Sequence, residues 1–594
     1  MKTKLKTKTL LICLALSLTS FSQSFMTNPY SRNNTELLNG KWNALIDVYC
    51  MGELAGIFRN RQQSTTTKAI EYTFNDGLRL DVPGDFNSQM PELKYYEGNV
   101  WYQRKITVAK TENCKQFIYF AGSNYITKAW LNGVSIGQHE GGFLPFQFDI
   151  TKFAKAGEND LVVMTNNNRK ADFIPALNFD WWNYGGITRD VFLIETPNVY
   201  INDYKVQLKK GSQNIIAGYV KLEGAKAVQN VEVFIPELKI RKKLTTDSTG
   251  LAAFEIKAKP QLWEPASPKL YDVKILSEKD TVSEYIGFRT IETKGTQILL
   301  NGKPIFLKGV SFHEEIAQRM GRANSDADAA MILSEAKALG CNFIRTAHYS
   351  QNEHTVRMAE KMGFMIWEEI PVWQGIKFTE DAVMVKAQNM LKEMIFRNKN
   401  RAAIIVWSIQ NETVPSAARD KMLVGLAKMT HELDSTRLIG GAFDNIKYDI
   451  ATNTFSLNDS LTNYVDLVGI NKYMGWYEAF RVDPSQIKWN VVTNKPLIMS
   501  EFGGEAQYGQ HGVTDSPASW SEENQEKLYR DNLTMFKNIS NLCGTVPWIL
   551  FDFRSPNRWN KQNQDGWNRK GLVSDKGQRK KAWYVMHRYY KENN

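Results

Sequence analysis

The second half of the chain repeats one pattern eight times. Apolar, strand-like runs alternate with helix-like stretches: IFLKGVSF (305–312), NFIRTAHY (342–349), MIWEEIP (365–371), IIVWSIQNE (404–412), RLIGGAF (437–443), DLVGINKY (466–473), LIMSEFG (497–503) and TVPWILFDF (545–553). Between them lie amphipathic stretches such as DADAAMILSEAKALG (326–340) and NEHTVRMAEKMG (352–363). Strands that are apolar throughout need cover on both faces, which helices around a closed parallel sheet supply. Eight such units predict a (β/α)8 TIM barrel over residues 293–594.

The first half reads differently. VWYQRKITV (100–108), KQFIYFAG (115–122), KAWLNGVSIG (128–137) and NDLVVMTNN (159–167) are short strands punctuated by turns, which predicts a β-sandwich over 29–195. A second strand-rich block at 196–292 has the size of an immunoglobulin-like sandwich. At 594 residues the chain is too long for one core, so three domains are reasonable.

Residues 1–22 read as a signal peptide. Lys2, Lys4, Lys6 and Lys8 precede a short apolar run, and Thr19-Ser20-Phe21-Ser22 before Gln23 offers a small-residue cleavage site. Its removal takes four charges from a net +11, leaving 11 − 4 = +7, with no basic run that suggests nucleic acid. No other segment is long and apolar enough to span a membrane, so a soluble exported protein is expected. With the barrel running to the final residues, the periplasm is the expected destination, or secretion. Cys50, Cys114, Cys341 and Cys543 show no CxxC spacing and are expected to be isolated and buried. No metal or other cofactor is expected, and nothing excludes a homo-oligomer.

Barrel enzymes hold their reacting groups at the C-terminal ends of the strands. Glu412 ends the fourth predicted strand and Glu501 the seventh, three steps apart around the ring, so the two carboxylates face each other across its mouth. Such a pair suits glycosidic bond cleavage, where one group protonates the leaving oxygen and the other attacks or activates water.

WSIQNE (407–412) and SEFG (500–503) closely resemble the two active-site motifs of glycoside hydrolase family 2, which holds β-galactosidases and β-glucuronidases. WLNGVSIGQHEGGFLPFQFDI (130–150) and DWWNYGGITRDV (180–191) resemble its N-terminal sugar-binding domain, and NFIRTAHY its second barrel strand. The resemblance spans nearly all the chain beyond the signal peptide. It implies Glu412 as acid/base, protonated at rest, and Glu501 as nucleophile of a retaining reaction, with carboxyls roughly 5–5.5 Å apart.

The resemblance also implies a substrate site. Asn411 is placed for the sugar 2-hydroxyl, Arg345 orients Glu501, His348 and Asp180 contact substrate, and Trp548 walls the subsite. NKYMGWY (471–477) resembles the β-glucuronidase segment in which Asn471, Tyr473 and Tyr477 line the pocket. Asn568, Arg569, Lys570 and Gly571 match the Asn-x-Lys-Gly element that holds a uronate carboxylate, a job that Asn568 and Lys570 suit chemically. Three positions depart from the family pattern: Ser350 for Pro, Arg401-Ala402 for His-Pro, and Gln564 for an Arg. The expected activity is exo-cleavage of terminal β-linked glucuronic acid from oligo- or polysaccharide. The alternatives are a β-galactosidase or β-galacturonidase acting on acidic or sulfated, for instance algal, polysaccharide. A non-catalytic carbohydrate-binding protein fits poorly with retention of both glutamates. Transglycosylation differs only in the acceptor and stays open.

Overall fold

The structure, a computed structural model, describes residues 25–61, 72–74, 77–225, 227–491, 494–512 and 519–592. The expected signal peptide lies outside the described residues.

The barrel is as expected in kind. Eight parallel strands close on themselves: β1 (Leu307–Phe312), β2 (Phe343–Thr346), β3 (Met365–Glu369), β4 (Ile404–Asn411), β5 (Leu438–Phe443), β6 (Leu467–Asn471), β7 (Leu497–Glu501) and β8 (Leu542–Thr545). From β2 to β7 every strand residue is buried, as a parallel sheet covered on both faces requires. Trp367 of β3 fills the interior. A Cβ on Gly440 would stand 3.2 Å from its ring and one on Gly469 2.9 Å, so these two glycines make room for the indole. Side chains start the helices: Ser325, Ser416 and Ser521 each accept from the backbone N–H three residues on, capping α1 (Asp326–Leu339), α2 (Ala417–Leu433) and α3 (Glu522–Phe536).

One strand is misplaced by the sequence reading. β8 spans Leu542–Thr545, so TVPWILFDF is mostly the loop that follows it. That run is apolar for another reason. Trp548, Ile549 and Phe553 are buried at the barrel mouth with Phe143, Phe179 and Trp181 of the first sandwich.

The first sandwich pairs a six-stranded antiparallel sheet with a four-stranded one around a core that includes Trp42, Tyr102 and Phe120. The immunoglobulin-like sandwich packs three strands on four around Tyr204, Val233 and Ile275. Buried ion pairs join it to the barrel. Lys399 pairs with Asp203, Arg401 with Glu284, and Lys205 with Asp434 at 3.2 Å. The four cysteines form no disulfide. Cys341 and Cys543 are buried as expected, but Cys114 is half-buried and Cys50 is exposed in a turn at φ 55°, where no core could receive it.

Candidate active site

The two glutamates stand where two barrel strands run out. Glu412 is the first residue after β4 and adopts φ 53°, a left-handed conformation uncommon for a side chain of this kind. Its N–H donates to Ala442 O of the neighbouring strand at 3.0 Å, which fixes the turn. One carboxylate oxygen accepts from Asn471 Nδ2 at 2.7 Å and the other from Gln374 Nε2 at 2.9 Å. Glu501 closes β7. It accepts from Arg345 Nη1 at 2.7 Å and from the Tyr473 hydroxyl at 2.5 Å. His348 Nε2 lies 3.8 Å away.

A shared network locks both. Arg345, fully buried, also pairs with Glu369 at 3.1 Å and donates to Asn411 Oδ1 at 2.7 Å. Asn471 donates to Asn411 as well as to Glu412 and accepts from the Ser500 hydroxyl. Asn411, expected to meet the sugar, therefore has its oxygen occupied. Its buried Nδ2 has no partner among the described residues and is the atom left to donate.

Burial raises both carboxyls. Glu412 is pushed up by desolvation and then by the charge of Asp444. Glu501 is pushed up by desolvation and by Glu412, to about 7. Both shifts favour the protonated forms of the two buried acids. Their partners differ: Glu412 meets only neutral amides at bonding distance, whereas Arg345 stabilises ionised Glu501 directly.

A cationic group occupies the loop after β8. Lys570 Nζ is 2.9 Å from the Tyr477 hydroxyl, 5.6 Å from the centre of the Tyr473 ring and 3.4 Å from buried Glu505. Asn568 donates to Asp180 at 3.3 Å. Arg558 joins them, paired with Asp180 and 3.4 Å from Tyr477. Burial would raise the Tyr477 hydroxyl, but Lys570 and Arg558 more than offset that and lower it.

Ten of the twelve expected residues line one cavity of about 340 Å³: Asp180, His348, Glu412, Asn471, Tyr473, Tyr477, Glu501, Trp548, Asn568 and Lys570. Arg345 and Asn411 are buried and bonded to the lining residues Glu501 and Asn471. The reading missed Trp373, Gln374, Asp444 and Arg558, which also line it. Arg558 falls outside the Asn-x-Lys-Gly element, so no local signal marked it. Gln564, in contrast, does not line the cavity. It donates to both oxygens of Glu505 at 3.0 Å, holding the carboxylate that faces Lys570.

Other expectations need correction. Gly503 and Gly504, whose place just after Glu501 suggests a sharp turn where substrate approaches, do not line the cavity. A Cβ on Gly503 would meet Trp548 O and the Tyr529 hydroxyl at 2.7 Å, and one on Gly504 would meet Leu528, so they admit protein packing. Ser350 and Arg401 are equally remote, bonding Glu368 and Glu284. No group of three or more His, Cys, Asp or Glu side chains placed to hold a metal occurs among the described residues.

A closed barrel with paired buried carboxyls in a polar, aromatic-walled cavity defines a hydrolase of O-glycosyl bonds. The family comparisons agree. The profile of the TIM barrel domain of glycosyl hydrolases family 2 matches residues 291–592, that of its sugar binding domain 38–197, and a third family 2 profile 199–289. The chain belongs to glycosyl hydrolases family 2.

Its relatives include a "Putative beta-glucuronidase" of Formosa agariphila, 29% identical over 88% of this chain and 68% of that protein. A "Beta-glucuronidase" of Paenibacillus borealis is 25% identical over 89% of this chain and 95% of its own length. Among solved structures, a beta-glucuronidase of an uncultured Clostridium sp. superposes with TM-score 0.81 at 26% identity, covering 96% of this chain and 99% of its own. The β-glucuronidase of Ruminococcus gnavus in complex with D-glucuronic acid gives 0.80 at 25%, covering 96% of this chain and 100% of its own.

Proposed function

We propose that this protein is a retaining, exo-acting β-glucuronidase. The observation that carries the reading is the Tyr473 ring. Its hydroxyl bonds Glu501 and its face carries the Lys570 ammonium, so nucleophile and cation are separated by a span that one pyranose can bridge. A uronic acid held by its C6 carboxylate at Lys570, Asn568 and Arg558 would present C1 between Glu501 and Glu412. The small cavity suits one terminal sugar. The names of the relatives point the same way.

In this mechanism Glu501 attacks the anomeric carbon while Glu412 gives its proton to the departing oxygen. The glycosidic bond breaks and a glycosyl ester forms. Glu412, now ionised, takes a proton from water, which displaces Glu501 and restores both groups. Asn411 Nδ2 is the donor we assign to the 2-hydroxyl. Export to the periplasm, and release of the sugar from oligo- or polysaccharide, belong to the same proposal.

A panel of nitrophenyl glycosides tests it. The β-glucuronide should turn over far faster than the β-galactoside or β-galacturonide, and the reverse order refutes the uronate reading. A 2-fluoro glucuronide should leave its label on the peptide carrying Glu501. A label elsewhere, or none with an active enzyme, removes the nucleophile assignment.

A further inference from the structure

Asp444 places in the cavity a charge that pairs with no cation among the described residues and touches no reacting atom in the proposed chemistry. Asp444 is the first residue after β5 and lines the cavity wall beside Glu412. Among the described residues its carboxylate has no cation at ion-pair distance, and it accepts only from its own backbone N–H. The two cations that act on it electrostatically are already matched. Lys472 is bonded to Glu478, and Arg419 is held in a two-pronged pair with Asp459 at 2.8 and 2.9 Å. Although the residue as a whole is exposed, desolvation at the cavity wall is the main cause that raises its carboxyl, and beside a buried acid no ion pair among the described residues offsets the like-charge repulsion.

Topology says which part of a substrate it faces. β4 and β8 lie opposite each other in the ring, and β5 is next to β4. The cations that would anchor the sugar carboxylate belong to the loop after β8. A sugar anchored there, with its anomeric carbon at Glu501 and Glu412, sends its leaving group over the β4–β5 rim. Asp444 lies on that rim, and Gln374, from the loop after β3, lines the same cavity on the other side of Glu412.

We infer that Asp444 selects the leaving group, accepting hydrogen bonds from hydroxyl-rich or amine-bearing groups and repelling carboxylated or sulfated ones. The inference rests on the uronosidase reading for the orientation of the sugar. It narrows the substrate class to glucuronides of neutral or amino sugars. A chain of consecutive acidic units would be cut poorly at an acidic neighbour. Its charge also helps to keep the proton on Glu412.

The test compares wild type with Asp444→Asn and Asp444→Lys on aryl β-glucuronides whose phenols are matched in acidity. These phenols carry a cationic, neutral or anionic group on a short alkyl arm. A unit charge at this partly solvated distance should give wild type a cation-to-anion ratio in kcat/KM about three- to ten-fold above that of Asp444→Asn. The ratio should shrink as salt is added, and Asp444→Lys should invert it. Equal ratios in wild type and Asp444→Asn overturn the inference, as does a uniform fall in kcat with the ratios unmoved, which would make Asp444 a modulator of Glu412 alone. If the uronate reading itself fails, the neutral glucuronide is not turned over. The same charge series on the glycoside that the panel favours then decides the role of Asp444 independently.

Discussion

Replacing Arg345 by Met should move the pH dependence of the enzyme before it does anything else. Among the described residues Arg345 is the one lysine or arginine at bonding distance of Glu501, 2.7 Å away, and it also neutralises Glu369. With charge centres about 4 Å apart and an effective dielectric near 20, the pair is worth about 4 kcal/mol, or roughly 3 pK units at most. Burial and Glu412 would remain, so the carboxyl would rise above its present value of about 7. In the proposed mechanism Glu501 must be ionised to attack, so activity exists above its pKa and is lost as pH falls through it. The acid limb of kcat/KM should therefore shift upward by about one to three units, costing about ten-fold in rate per unit at fixed pH below it. Stability should fall by about 3–5 kcal/mol, because two carboxylates lose a buried partner. Arg345→Lys keeps the charge but cannot reach Glu501, Glu369 and Asn411 together. Its limb should move less. The assay is a pH–rate profile on a chromogenic glucuronide, with circular dichroism to show that the variant is folded. A folded Arg345→Met protein with its acid limb in place would refute the assignment of that limb to Glu501.

Two further outcomes are expected. Lys570→Ala should lose about 10²–10³ in kcat/KM on the glucuronide, the worth of one buried charge-assisted contact, and much less on neutral glycosides; equal losses would show that Lys570 does not read the carboxylate. Asp434→Asn should destabilise the barrel and its contact with the immunoglobulin-like domain by about 3 kcal/mol at pH 7 in denaturant titration. Burial alone would raise Asp434, but Arg437 and Lys205 more than offset it and hold its carboxyl well below the usual range. That stability is present above the unfolded-state pKa of about 3.9 and is lost as pH falls towards the folded value, so the gap between variant and wild type should narrow below about pH 4. A gap that widens there would refute the ion-pair account.

Much of the architecture is legible in the chain because periodicity is local information. Runs that are apolar throughout and return eight times with helices between them fit a covered parallel barrel, and alternating runs with Asn-Gly turns fit sandwiches. The same reasoning failed at β8. Hydrophobicity reports burial, not hydrogen bonding, and the segment from Trp548 to Phe553 is buried against Phe179 and Trp181 without belonging to the barrel sheet.

The active site divides in the same way. Glu412 and Glu501 were readable because strand ends define the barrel mouth, and Asn568 and Lys570 because a short motif carries them. Arg558 was not. Its partner Asp180 lies 378 residues away in another domain, and nothing near position 558 announces that pairing. Nor could the chain show that Gln564 serves Glu505, or that Lys472 and Arg419 are spent on other carboxylates and leave Asp444 bare. Sequence by itself determined the kinds of element, their order and the two acids at the rim, since those depend on neighbours along the backbone. Only the tertiary structure decided which charges are compensated, because charge balance is a sum over groups that folding brings together from everywhere in the chain.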